Sequence, residues 1–301
     1  MTRFLAALFV SALLTSCGSE TPSHTAENTS SKTNEANLEN ALVSMEAPVV
    51  AVSNIDKALA FTEALENGNE KALKLLVSDT LIQHNPMLKD GAEGLKALMP
   101  QGKKSNYKVE VYRAGQEEKY AFIHGLYDYN GKQAGIELFR FEDGKIAEHW
   151  SAFSPITKAN YSGNSQLDGA QKFNDGDSPK SHWKIAHKFV YGTYIIGTSD
   201  HLSKTNEDFN EYASHLYSGR DKIMDGLDLR QKAGIDLKHT ELIKTYGEGG
   251  LCLSVSKGTL NAKEVLIFDL FGFKDGTISD HWEVIEDFTP KTESINSNGA
   301  L

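Results

Sequence analysis

An α+β fold in two tandem copies is what this 301-residue sequence predicts. Three observations carry that expectation. The stretch from Gly135 to Pro155, GIELFRFEDGKIAEHWSAFSP, returns as Ile267 to Pro290, IFDLFGFKDGTISDHWEVIEDFTP. From Leu138 to Trp150 the two copies share Leu, Phe, Phe, Asp, Gly, Ile, His and Trp at positions 132 apart, a repeat of domain size rather than a short solenoid period. Each copy also reads as a β-hairpin. Asp143-Gly144 and Asp275-Gly276 are pairs suited to a two-residue type I′ turn, and the flanking runs alternate apolar and polar residues with period two. Finally, helical patterns precede strand patterns in each half, which is the order of an α+β protein.

The chain opens with MTRFLAALFVSALLTSC. Arg3 supplies a positive start and Phe4 to Leu14 an apolar run too short to span a membrane. Leu14-Thr15-Ser16-Cys17 resembles a bacterial lipobox, so residues 1–16 are expected to be a lipoprotein signal peptide and Cys17 the lipidated residue. Gly18, not Asp, follows, which points to an outer-membrane anchor facing the periplasm. Residues 17–52, rich in Ser, Thr, Asn and Glu without aromatics, read as a flexible tether. Cys252 is the other cysteine; it sits in the apolar run LCLSV and reads as core, so no internal disulfide is expected. The formal net charge of −10 argues against nucleic acid or an anionic membrane surface as partner, leaving the lipid anchor as the contact with membrane.

The first domain is placed at 53–157. A helix from Asn54 buries Ile55, Ala58, Leu59, Thr62 and Leu65, and Asn69 starts a second with Leu73, Leu76 and Val77 inside. Gln83-His84-Asn85-Pro86 is a loop, and Asp90 with Glu93 forms a capping box for a third helix. Strands follow at 106–114, 117–129, 132–142 and 145–154. Residues 158–181 read as a linker. The second domain, 182–290, repeats the order, with a helical HWKIAHKFVYGTYIIG, a Thr205/Asp208 capping box, and strands at 236–246, 250–258, 262–273 and 277–288. Residues 291–301 are a tail.

Two-residue turns at Asp143-Gly144 and Asn130-Gly131 would pair Glu137 with Trp150 and His124 with Glu137. That register puts His124, Glu137 and Trp150 in one row, with opposed Cβ atoms about 4.5–5.5 Å apart. Phe122, Phe139, Phe141 and Ile146 share the face, while His149 and His281 fall on the other with Leu138 and Leu270, as scaffold or interface residues. A carboxylate beside an imidazole among aromatics is a place for acid/base chemistry, and equally for a buried pair that only fixes register. His84 could complete such a site or simply bond to its own loop.

Ile82-Gln83-His84-Asn85-Pro86, the His124 strand and Leu138 to Trp150 together resemble the SnoaL-like branch of the nuclear-transport-factor-2-like superfamily. The resemblance covers nearly all of 53–156 and, more faintly, 182–290. It implies two cone-shaped α+β barrels, each a curved antiparallel sheet wrapped on helices with a pocket at the open end. Polyketide cyclases of this branch use a His and an Asp without metal. Carried over, the resemblance implies His124, Glu137 and His84 as catalytic candidates, with Asn85, Trp150, Phe139 and Phe122 around the pocket. In the second copy Asp269, Trp282 and His215 are the candidates. Ser256 there stands where His124 is expected and the HNP loop reads His215-Leu216-Tyr217, so the second copy is expected to be degenerate. Packed sheet to sheet, the two copies would form a pseudo-dimer within a monomer.

Neither HExxH, a Cys cluster, a P-loop, GxSxG nor a dinucleotide fingerprint is present, so no cofactor or metal is expected. Two functions stay open. One is cofactor-free acid/base chemistry of the aldol, isomerase or dehydratase type on a small, largely apolar carbonyl compound. The other is a non-catalytic lipoprotein that binds a small ligand or acts as a scaffold in the cell envelope.

Overall fold

The computed structural model describes residues 52–99, 107–129, 131–173 and 181–301. The expected signal peptide, Cys17 and nearly all of the expected tether lie outside these residues. The described residues are α+β, with two five-stranded sheets and few helices. Among the described residues no helix is long and apolar enough to cross a membrane.

Helix α1 (Asn54–Glu66) starts at Ser53, whose hydroxyl accepts the Asp56 N–H while the Asp56 carboxylate accepts the Ser53 N–H. This capping box satisfies two donors that the first turn would otherwise leave open. The buried face is Ala58, Phe61, Thr62, Ala64 and Leu65; Leu59, expected inside, is exposed. Helix α2 (Glu70–Leu76) is capped by Asn69 and ends because Val77 turns extended. Val77 opens strand β1 (Val77–Gln83), which sequence periodicity did not announce. The short α3 (Gly91–Gly94) lacks the expected capping box. The Asp90 carboxylate instead accepts the Gln83 N–H at 2.9 Å and the Asn298 amide at 2.7 Å.

Strands β2 (Lys108–Glu117), β3 (Tyr120–Asp128), β4 (Lys132–Glu142) and β5 (Lys145–Pro155) form an antiparallel meander. β1 adds parallel to β5, giving the order β1-β5-β4-β3-β2. The second half follows the same plan. Helix α4 (His182–Phe189) continues as a π-helical segment, Val190–Ile196, and α5 (Ile223–Lys232) lies further on. Its sheet is β6 (Thr205–Glu211), β10 (Thr277–Asp287), β9 (Lys263–Lys274), β8 (Leu251–Leu260) and β7 (Leu237–Tyr246), in that order. Thr205 therefore begins a strand rather than a helix. Both Asp-Gly turns have two left-handed residues, Asp143 and Gly144 at φ 48° and 77°, Asp275 and Gly276 at 52° and 72°.

The inner face of the first sheet packs on α1, with Phe61 edge-on to Phe139 at 5.3 Å. Its outer face joins the second sheet's outer face in one apolar cluster containing Phe122, Ile136, Leu138, Leu253, Leu270 and Trp282. Polar ties cross at the edge: Ser154 Oγ donates to Ile285 O at 2.6 Å, and Phe153 N–H donates to Glu286 Oε2 at 3.0 Å. Within the stretch expected to be a linker, Leu167, Asp168 and Ala170 are held by the first sheet. Arg113 donates to the carbonyls of Ala170 (2.8 Å), Asp168 (2.5 Å) and Leu167 (3.3 Å), and its guanidinium lies 3.9 Å over the Trp282 ring. The tail beyond β10 returns to the first half, where Asn296 donates to the carbonyls of Asn85 and Leu88.

Candidate functional site

The strand register differs from the expected one by a single residue at two places, and this decides which side chains face inward. Asp128 pairs with Lys132, so the connection is three residues long rather than two, and His124 pairs with Ile136 instead of Glu137. After the Asp143-Gly144 turn, Phe141 pairs with Ile146 as expected. A β-bulge then intervenes, and Arg140 faces Glu148, Phe139 faces His149, Leu138 faces Trp150 and Glu137 faces Ser151. A one-residue slip moves a whole set of side chains to the other face. The row of His124, Glu137 and Trp150 does not exist. Glu137 points to the inner, helix-packed face with His149, and His124, Trp150 and Phe122 lie on the outer side.

Inside the first half, His149 Nε2 is 3.3 Å from Glu137 Oε1, close enough for charge but off-line for a hydrogen bond. The far nitrogen, Nδ1, is 3.1 Å from Gln83 Oε1, which can only accept, so Nδ1 donates there and Nε2 is the nitrogen that faces the carboxylate. Phe139 stacks on the imidazole at 4.9 Å. Glu137 Oε2 accepts the Tyr127 hydroxyl at 3.0 Å. Burial, and then the charge of Glu137, raise the phenols of Tyr127 and Tyr107 well above their ordinary value, so both stay protonated donors.

Glu137, His149 and the two phenols line a cavity of about 460 Å³, with Gln83 and Phe139 behind its wall. Glu137, His149, Tyr107 and Tyr127 form its polar part, and Leu88, Leu98 and Phe153 its apolar walls. Asn85 also lines it, held by its amide donating to Ser151 Oγ at 3.0 Å. The second half contributes Glu286, whose carboxyl is pushed up to about 7 by burial, against the pull of the Phe153 N–H.

The other expected residues lie elsewhere. His124 is buried between the halves, and its Nδ1 accepts from Arg113 at 3.2 Å. Burial, with the Arg113 charge, pushes it down to about 3, so it is neutral and supplies no cation to Glu137. His84 stacks on Trp150 at 4.6 Å and is 2.8 Å from Glu148, outside the cavity wall. The second half repeats this outer arrangement with different residues: Tyr212 stacks on Trp282 at 4.8 Å and donates to Asp280 at 3.0 Å. The backbone agrees, since His84 N–H donates to His149 O and Tyr212 N–H to His281 O. Tyr212, not His215, is therefore the counterpart of His84. His215 occupies a left-handed turn at φ 62° beside Tyr161. Leu270 faces Leu253 on one neighbouring strand and Trp282 on the other, while Asp269 faces Ser254 and Glu283 rather than Trp282. Since Phe122 faces Leu138 as Leu253 faces Leu270, Val255 is the counterpart of His124, and Ser256 belongs to the inner face. His281, like His149, is inside, where it meets Asp269 at 3.1 Å. Among the described residues no group of three His, Cys, Asp or Glu is placed to hold a metal ion.

Gln83, Tyr107, Tyr127 and His149 were missed as site residues. The signal available was His149, repeated as His281 in the second copy, which the assumed register turned outward.

No family model matches the chain, and no curated protein matches it. Among solved structures, a protein of Kribbella flavida assigned as a candidate ketosteroid isomerase is 16% identical, with 37% of this chain and 83% of that one covered and a TM-score of 0.31. An LEH-like epoxide hydrolase of M. tuberculosis is 18% identical over 33% and 81% of the two chains, TM-score 0.30. An NTF2-like protein of unknown function from Cytophaga hutchinsonii is 22% identical over 35% and 92%, TM-score 0.30.

Proposed function

We propose that this chain is an exported lipoprotein, anchored through Cys17, whose two halves pack as an intramolecular pseudo-dimer of SnoaL-like cones. In this reading the first cavity binds a small, largely apolar carbonyl compound and performs cofactor-free acid/base chemistry on it. The observation that carries the reading is the placement of Glu137 and His149, 3.3 Å apart and buried, in the wall of an otherwise largely apolar cavity. Glu137 is the base for a C–H next to the carbonyl. The phenol of Tyr107, kept protonated, is a donor for the oxygen on which charge develops. His149 accepts the proton on Nε2 and returns it to a different atom of the same molecule, so that the cycle leaves the protein unchanged. General acid/base groups of this kind contribute about 10²–10⁴ in rate.

A specific observation favours the second reading, a non-catalytic binder. Tyr127 and the His149–Gln83 pair already surround Glu137, as they would around a purely structural carboxylate. Exchange of the α-hydrogens of 2-tetralone in D2O, followed by ¹H NMR, separates the two. The acid/base reading expects catalysed exchange that falls at least about 100-fold in Glu137→Gln. Saturable binding of 2-tetralone without exchange leaves the binder reading in its place.

A further inference from the structure

The second half, expected to be degenerate, holds the more extensive set of ionisable groups. Four side chains from β6, β10, β9 and β7 run in line. Glu211 Oε1 is 2.9 Å from His281 Nδ1, His281 Nε2 is 3.1 Å from Asp269 Oδ1, and Asp269 Oδ2 is 3.0 Å from His239 Nε2. All four are buried. Burial opposes the charge of His281, yet Glu211 and Asp269 on either side outweigh it and lift the imidazole to about 10. Burial alone would raise Asp269; the two imidazoles, His239 first, hold it below its ordinary value instead. Asp269, the carboxylate that aligns with Glu137 in the repeat, is thus engaged on both oxygens by imidazoles.

His239 ends the chain of contacts. With Nε2 on Asp269, its Nδ1 is left without a hydrogen-bond partner among the described residues. Tyr194 stacks on the ring at 4.8 Å. His239 lines a separate cavity of about 310 Å³ beside α5 and the π-helical segment. Two buried polar atoms in residues of the same wall, Thr193 Oγ1 and Arg230 Nε, have no hydrogen-bond partner, although the Arg230 terminal nitrogens are engaged by Glu283 at 2.5 and 3.1 Å.

We propose that this second cavity is an acid/base site of its own, in which His239 Nδ1 moves a proton on a small, uncharged, hydroxylated carbonyl compound and Asp269 is the positioning residue. The step balances without a co-reactant. Nδ1 takes a proton from carbon next to the carbonyl, and the electron pair left behind moves onto the carbonyl oxygen. The imidazolium, its charge balanced by Asp269, then returns the proton to the enolate, and the imidazole ends as it began. The substrate is polar because the wall holds hydrogen-bonding atoms that the protein leaves unmatched. It is not an anion, because the carboxylates of Asp228, Asp236, Asp269, Glu211 and Glu283 outnumber the cations of Arg230, Lys238 and His281 in and behind the wall. The assignment does not rest on the first cavity.

Dihydroxyacetone in D2O is a suitable probe, with C–H exchange read by ¹H NMR. The wild type is expected to exchange, while His239→Gln, which keeps a donor to Asp269, loses at least about 100-fold. No exchange by the wild type, or exchange unchanged in His239→Gln, overturns the proposal. Carbethoxylation of the unsubstituted protein by diethyl pyrocarbonate, mapped by mass spectrometry, needs no variant. His239 is expected to react at a rate comparable with the partly exposed His201, and His281, with both nitrogens occupied, to stay unmodified. Protection of His239 alongside His281 contradicts it.

Discussion

Glu286 offers a clean test of how the two halves share one cavity. It stands on β10 of the second half, accepts the Phe153 N–H of the first, and lines the first half's cavity. Its carboxyl moves from 4.5 to about 7 on folding because burial penalises the charged form. The sign follows: a raised carboxyl contributes its full stability below pH 4.5, where it is protonated in both states, and loses it as pH rises through about 7. The gap corresponds to about 3 kcal/mol at alkaline pH. Glu286→Gln keeps an oxygen for the Phe153 N–H and has no charge to bury. Melting temperatures of the two proteins should coincide below pH 4.5 and diverge above it. By pH 8 the variant should melt higher by roughly 6–12 °C, at about 2–4 °C per kcal/mol for a body of this size. Parallel curves from pH 4 to 8, or a variant less stable at pH 8, would show that Glu286 is solvated and does not close the cavity.

Arg113→Met removes the donors to three linker carbonyls and the contact over Trp282; a loss of about 2–4 kcal/mol is expected, read as a lower urea midpoint. The network around His281 is expected to give a stability plateau. His281, raised on folding, stabilises fully below about pH 6.5, and this is lost as pH climbs toward 10, while depressed Asp269 stabilises above about pH 3.8 and loses this in acid. A melting series from pH 3 to 10 should fall on both sides, and His281→Asn should flatten the alkaline side. Cys17→Ser should release the protein from the membrane fraction; unchanged fractionation would count against the lipid anchor.

The sequence was a good guide to elements and a poor one to faces. Both Asp-Gly turns, the eight meander strands to within three residues, and the helix–strand order were legible, because turn chemistry and period-two alternation are local. Strand β1 was not, since its partner β5 lies more than sixty residues away and its own pattern is weak. The register failed for two equally physical reasons. A loop longer by one residue joins β3 to β4, and the bulge at Ala147, between Ile146 and Glu148, carries no Gly or Pro to mark it. Each shift inverted the reading of a face, so Glu137 and Phe139 were placed correctly but in the wrong company, and His149 was turned outward. The network of the second half escaped notice because its members come from four strands, and His239 has no counterpart in the repeated motif.

The most direct test of the first cavity as the working acid/base site uses 5-nitrobenzisoxazole. A base removes its single ring proton next to nitrogen as the N–O bond breaks, releasing a coloured nitrile-phenolate. Rates would be compared for the wild type, Glu137→Gln and His124→Asn. The geometry predicts that Glu137→Gln falls about 10²–10⁴-fold while His124→Asn, altered on the outer side of the sheet, stays within about twofold. A rate lost in His124→Asn and kept in Glu137→Gln would contradict the register and, with it, the placement of the site.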